Sequence, residues 1–430
     1  MTGERSSAGE MMAVVEELYP ICRSITGDGV RSTLEVVGKL VPLEVHEVAS
    51  GTPVLDWTVP DEWNIRDAYV ADASGRRVVD FRACNLHVVS YSVPVSARMT
   101  LDELRPHLHA LPGQPDLIPY RTTYYERNWG FCLSQRQLDG LAPGDYDVRI
   151  DSRLEPGHLT YGEVLVPGRQ RDEFLISAHV CHPSLGDDNL SGIVVAAELA
   201  RRLLGRPQPR FTYRFLFAPG TIGAITWLAQ NRDAATRIGH GLTLSCIGDD
   251  HPFTYKRTVG GGETIDRAVA HVLAERGEEH ELIDFFPYGY DERQYNSPGF
   301  RLPVGALMRG RHGQFPEYHT SADNLDFLSG ERMVESLALL ESVVDVADRN
   351  RTVRNLQPFG EPQLGRRGLY RALGGSDIPN LQFAMLWVLN LGDGAHDLLA
   401  VAERSGLAFD AIVAAADLLE EHELVAEVPG

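Results

Sequence analysis

Two short stretches of this chain concentrate side chains that can hold a metal ion. Phe174 to Gly192, FLISAHVCHPSLGDDNLSG, runs an apolar strand into His179 and His182, with the acids Asp187 and Asp188 close behind. Glu317 to Asp326, EYHTSADNLD, adds His319 with Asp323 four residues on. Imidazole and carboxylate from separate loops at strand ends are what a borderline divalent ion such as zinc takes. A plainer account has His179 hydrogen-bonded in the core and Asp187 and Asp188 capping a helix. That covers the first stretch alone, but not the second acid–histidine set. His182 either replaces or supplements His179, and Cys181 is as readily a buried small hydrophobe as a soft ligand. The expectation is a metal-dependent hydrolase scaffold.

These residues need a frame to position them. Residues 8 to 42 read as two helices broken at SITGDG. From 45 to 165, short alternating runs such as LHVVSYSVPV and YGEVLVPG sit between Pro and Gly clusters, the pattern of an inserted β-rich domain. It holds a dense aromatic set (Trp57, Trp63, Tyr120, Tyr124, Tyr125, Trp129, Phe131), expected mostly in its core, with Arg121 and Asn128 among them as candidate ligand contacts. From about 172 to 350 strand and helix alternate, which predicts an α/β domain with a mostly parallel, helix-covered sheet. Ligands in such sheets bind at the carboxyl ends of strands, where His179 falls. Residues 1–44 and 166–352 are therefore assigned to one α/β domain. Residues 366–430, after the linker NLQPFGEPQLG, read as three helices and a short strand in a winged-helix layout.

Bulk properties narrow the partners. A net charge of -20 argues against nucleic acid or an anionic membrane. The expected recognition helix carries Asp410, Asp417, Glu420, Glu421 and Glu423 with no Lys or Arg, so a packing or oligomerisation role, and a homo-oligomer, is the expectation. Five scattered cysteines without CxxC fit a reducing cytoplasm. There is neither a signal-peptide pattern nor an apolar run long enough to span a membrane.

HVCHPSLGDDNLSG, FAPGTIG, FPYGYDERQYNSPGF and EYHTSADNL together resemble the M28-type zinc aminopeptidase-like family. WTVPDEWNIRDAYV and LHVVSYSVPV are similar to the inserted module of its bacterial branch that also carries a C-terminal winged helix, the DUF4910/DUF2172-like proteins. The resemblance covers nearly the whole chain. It implies zinc held by His179, by Asp188 as the metal-bridging aspartate with a cis peptide after it, and by His319, with Asp323 orienting behind. Asp291, in YDERQY, resembles the acid of a loop near the last sheet strand.

The departures shape the expected chemistry. Gly220 and Thr221 stand where the peptidases carry a Glu-Glu pair of base and ligand, and Ser245 stands for an Asp ligand. Three ligands remain, which suits one zinc per chain with an open position for water. Glu292 is the favoured replacement base, because Arg293 and Tyr295 beside it can hold a polarised carbonyl. Its plainer reading is a surface salt bridge, and Glu317 and Glu263 are the other candidates. Glu317 or Asp291 is expected to hold a substrate amine. The leading expectation is a cytoplasmic zinc-dependent hydrolase of a small peptide or aminoacyl-type biosynthetic intermediate. Rivals are a cyclase or acyl transferase on the same scaffold, and a non-catalytic metal-stabilised scaffold protein.

Overall fold

Buried parallel strands with both faces covered read as continuous apolar runs, and the run Glu173–His179 is buried along its whole length. The computed structural model, which describes residues 7–369 and 378–428, places this run inside an eight-stranded sheet. In chain order the strands are β1 (Glu44–Ala49), β2 (His158–Val166), β3 (Glu173–His179), β4 (Thr212–Ala218), β5 (Ile238–Leu244), β6 (Phe253–Lys256), β7 (His280–Ile283) and β8 (Val304–Met308). Their spatial order is β1-β2-β4-β3-β5-β8-β6-β7.

The sheet is mixed, where a largely parallel one is expected from the alternation. β4, β3, β5 and β8 are parallel neighbours, as are β6 and β7. The junctions β1-β2, β2-β4 and β8-β6 are antiparallel. Two of these junctions come from β1 and β2, whose alternating texture reads as part of the β-rich insertion but which pair along an edge of the main sheet, and the third comes from β6, which runs against β8. Within the insertion, Arg77–Asp80, Glu62–Ala71, Asp145–Glu155 and Val95–Thr100 form a separate four-stranded antiparallel sheet. Trp63 and Phe131 are in its core, as expected, whereas Trp57 and Tyr125 are about half exposed.

The helix Gly192–Leu204 packs against the N-terminal helices Ala8–Leu18 and Asp28–Leu40, whose break falls at SITGDG as predicted. The chain divides into two compact units, whose described residues are 7–263 with 279–338, and 264–278 with 339–369 and 378–428. The second contains the helices Ile378–Leu391, Leu398–Ser405 and Phe409–Glu421 and a three-stranded sheet of Thr352–Asn355, Asp393–Asp397 and Val425–Glu427. This is the winged-helix layout; its residues 370–377 lie outside the described residues. The acids Asp410, Asp417 and Glu420 on its last helix pair with Arg349 and Arg351. Among the described residues no helix is long and apolar enough to cross a membrane.

Candidate metal centre

β3 ends on His179, and the chain then turns through Cys181 and His182 to Asp187 and Asp188 before the next helix begins. Helix entry is tight. A Cβ on Gly192 would lie 2.2 Å from Asn189 Oδ1 and 2.7 Å from the Leu244 carbonyl, so only glycine lets the helix start against β5. Asn189 fixes the turn by accepting the Gly192 N–H (3.2 Å) and donating to the Leu244 carbonyl (2.9 Å). The Asp188–Asn189 peptide is cis, as is Gly220–Thr221.

Asp188 is the centre of the site. Its Oδ1 meets His179 Nε2 at 2.8 Å, and its Oδ2 meets His319 Nε2 at 2.9 Å and His182 Nδ1 at 3.2 Å. His182 is therefore a full member of the cluster and supplements His179. Donor atoms of His179, His182 and Asp188 all lie within 4.8 Å of one another. His179, His182 and Asp188 are buried, while the side chain of His319 keeps 32 % exposure, so the cluster opens to solvent on that side. His319 and the nearby Cys246 hold positive φ of 56° and 51°. Left-handed backbone at non-glycine residues costs energy and gathers at functional sites.

The electrostatics suit a metal-ligand set. Burial alone would raise the Asp188 carboxyl, but the charge of His182 and hydrogen bonds from His179, His182 and His319 outweigh it, holding the group well below the usual carboxylate range. Burial pushes the His179 imidazole down to about 4 and lowers His319 as well, against the pull of Asp188. Burial thus favours neutral imidazoles at His179 and His319 beside an ionised Asp188, the protonation state in which such groups bind a divalent ion. The residues present therefore fit such an ion.

Three neighbours of the cluster escape sequence reasoning. His312 Nε2 sits 3.0 Å from Ser245 Oγ, which lies 3.4 Å from Asp188 Oδ1, and burial lowers the His312 imidazole. Ser245 is thus backed by a fourth histidine. Tyr290 lays its ring against His179 (centroids 3.8 Å apart) and brings its hydroxyl within 3.2 Å of both His182 Nε2 and Cys181 Sγ. A Cβ on Gly220 would stand 1.9 Å from that ring. Tyr290 occupies the room that a side chain at Gly220 would need. Tyr120 reaches in from the insertion, edge-on to His182 and His319 at 5.0 and 5.1 Å, and its N–H donates to the His319 carbonyl (2.8 Å).

The YDERQY residues occupy other places than expected. Glu292 is fully buried and ion-paired with Lys256, and its carboxylate accepts the Tyr290 N–H (3.0 and 3.2 Å). A carboxylate so engaged clamps the loop that carries Tyr290; it is neither a free base nor a surface salt bridge. Tyr295 is buried beneath β3, its hydroxyl 2.9 Å from Ser177 Oγ, so it supports the strand and cannot reach a carbonyl in the site. Asp291 is also buried; burial first, then the charge of Glu292, raises its carboxyl well above the usual range, and a protonated acid does not hold an amine by charge. Arg293 is exposed.

Asp323 does not orient His319. It accepts the N–H groups of Asp187 (2.6 Å) and Asp188 (3.0 Å) and so fixes the ligand loop itself. Glu317 is half-buried two residues before His319, with its carbonyl accepting the Thr320 N–H. Arg121 is exposed and follows Tyr120; its charge is a secondary influence, after burial, on His109 and Cys132 of the insertion.

Comparison with known proteins agrees with this architecture. Residues 12–350 match the family described as Domain of unknown function (DUF4910), and residues 351–427 match winged helix-turn-helix. A Clostridium acetobutylicum protein, provisionally named a polysaccharide biosynthesis protein with aminopeptidase-like domain, is 51% identical over 420 residues, 97% of this chain and 96% of that one. A crystal structure of a provisionally assigned peptidase from C. acetobutylicum is 50% identical and superposes with a TM-score of 0.92, covering 98% of this chain and 96% of the other. A zinc aminopeptidase of Bacillus subtilis shares the fold at 12% identity and a TM-score of 0.58, over 79% of this chain and 95% of its own. The fold is aminopeptidase-like, and the chain belongs to the DUF4910 family, with a winged helix-turn-helix at its C-terminal end.

Proposed function

We propose that the protein is a metal-dependent hydrolase of a small amide, with zinc held by three of the four groups Asp188, His179, His182 and His319 and the remaining position open to water. The observation that carries this is the convergence of three histidine nitrogens, from two separate loops, on both oxygens of one buried carboxylate. The names of relatives point the same way: an aminopeptidase-like domain in the Clostridium protein, and zinc in the B. subtilis enzyme of the same fold. The former also names polysaccharide biosynthesis, which supports a biosynthetic intermediate as substrate. When bound, zinc supplies a Lewis acid that lowers the pKa of water and polarises a carbonyl.

The chain's own groups complete the scheme. Tyr290, a phenol whose pKa burial raises well above its ordinary value, stays protonated and can donate a hydrogen bond to the carbonyl oxygen as charge develops there. His312, neutral and beside Ser245, is the group placed to accept a proton from the attacking water. Tyr120 and Tyr318, the latter stacked on His319 with ring centroids 3.9 Å apart, wall the cluster and limit its hydration.

Tyr290→Phe keeps the ring on His179 and removes only the hydroxyl. Turnover is expected to fall about 10²–10³-fold, the usual cost of losing one oxyanion donor, with KM and thermal stability little changed. Steady-state kinetics beside a melting curve checks this. The reaction class is read by running a panel of aminoacyl amides in isotopically labelled water. Label in the product carboxyl is the result expected of hydrolysis. Product formed without label assigns the site to amine attack, a reading that the missing glutamate pair at Gly220 and Thr221 favours.

A further inference from the structure

A second pocket lies in the inserted module, with a volume of about 340 Å³ and a lining that includes Thr58, Asp61, Tyr91, Tyr125 and Arg127. Its walls combine features that ordinary core packing does not require. Tyr125, in the lining, is 49% exposed, and its ring meets that of Trp57, which lies outside the lining and is 45% exposed, at a corner 5.2 Å apart and tilted by 59°. Aromatic surface beside a few placed polar groups in a concavity is the composition of a ligand pocket.

Tyr125 has a φ of 67° and Tyr91 one of 75°. Bulky residues in the left-handed region are outliers that the surroundings must enforce. Among the described residues, two of the eight non-glycine residues with positive φ are tyrosines lining this one pocket. Tyr91 forms its back wall, buried and with its hydroxyl donating to the Asp61 carbonyl. At the rim, Arg127 Nη2 lies 3.2 Å from Asp61 Oδ2. This ion pair leaves free acceptor and donor positions side by side, with its two charges opposed.

We propose that this pocket binds a neutral carbohydrate. An aromatic corner offers flat apolar surface to the C–H face of a sugar ring. The neighbouring carboxylate and guanidinium offer the acceptor and donors that adjacent hydroxyls take. An anion would meet Asp61 and Glu126, and a cation would meet Arg127. A ligand without charge satisfies both partners of the pair.

A series of tyrosine contacts in one segment runs from the pocket to the metal centre. Tyr125 lies edge-on to Tyr124, 6.3 Å away; the Tyr124 hydroxyl is 3.0 Å from that of Tyr120; and Tyr120 flanks His182 and His319. The sugar site does not depend on the amide-hydrolase reading and stands or falls separately.

The test is calorimetric titration of the full-length protein with maltose, cellobiose, lactose and chitobiose, with tetramethylammonium and inorganic phosphate as charged controls. At least one disaccharide is expected to bind saturably. Trp57→Ala and Tyr125→Ala are each expected to weaken it by up to about tenfold, the scale of one aromatic contact. Arg127→Ala, at an exposed side chain, keeps the experiment readable if an aromatic variant does not fold, and is also expected to weaken binding. Absence of binding by all four sugars overturns the proposal. So does tighter binding of either charged control, or a sugar affinity that none of the three substitutions changes.

Discussion

Replacing Lys256 or Glu292 singly is expected to destabilise the protein by about 3–5 kcal/mol, the usual cost of stranding one charge of a buried pair. Lys256 ends β6 with 1% exposure of its side chain, and Glu292 is equally buried. Lys256 Nζ also donates to the Tyr288 carbonyl (2.9 Å), so both ends of the pair grip the loop that carries Tyr290. Lys256→Met leaves the carboxylate unpaired, and Glu292→Gln leaves the ammonium unpaired. Replacing both, Lys256→Met with Glu292→Gln, removes both charges and is expected to cost far less than the two single changes added together. Denaturant unfolding of the four proteins checks the cycle. Activity of the two single variants should fall together, because both loosen Tyr290. A Glu292→Gln protein as stable as the parent but without turnover would instead make Glu292 a base.

Asp188→Asn is expected to lower zinc affinity by more than the ~10–100-fold that loss of a supporting group costs, and to abolish hydrolysis with it. Both carboxylate oxygens are in use, one by His179 and the other by His182 and His319. An amide of the same size offers only one oxygen, and its NH2 group faces a histidine whichever way it is turned. Competition with a metallochromic chelator measures the affinity directly. Unchanged affinity would mean that the histidines bind metal without the carboxylate.

Much of this site is legible in the sequence because metal ligands are few in type and sit at strand ends. His179, Asp188 and His319 come from motifs whose spacing survives without knowledge of the fold. The YDERQY segment shows the limit. Its six polar and aromatic residues face different environments, and spacing does not say which are buried. Tyr290 enters the site, while Glu292 and Tyr295 turn into the core. One signal was available: Lys256 closes the otherwise uncharged strand FTYK, and a lysine there needs an acid elsewhere. His312 stands outside both motifs, brought beside Ser245 only by the chain's path after β8.

The β-rich texture of residues 45–165 misleads for a related reason. An antiparallel edge strand of a mixed sheet and a strand of a small separate sheet share the same alternation. Only pairing distinguishes β1 and β2, which join the main sheet, from Glu62–Ala71 and Asp145–Glu155, which do not.

The most direct measurement is the metal content of untagged protein purified without added metal, with thermal unfolding before and after chelation. The Asp188-centred account predicts about one zinc per chain, lost to chelator, and a fall in melting temperature that zinc restores, since a ligand that binds only the folded state stabilises it. Protein that holds no divalent metal, takes up none on dialysis and melts identically with and without zinc would contradict it.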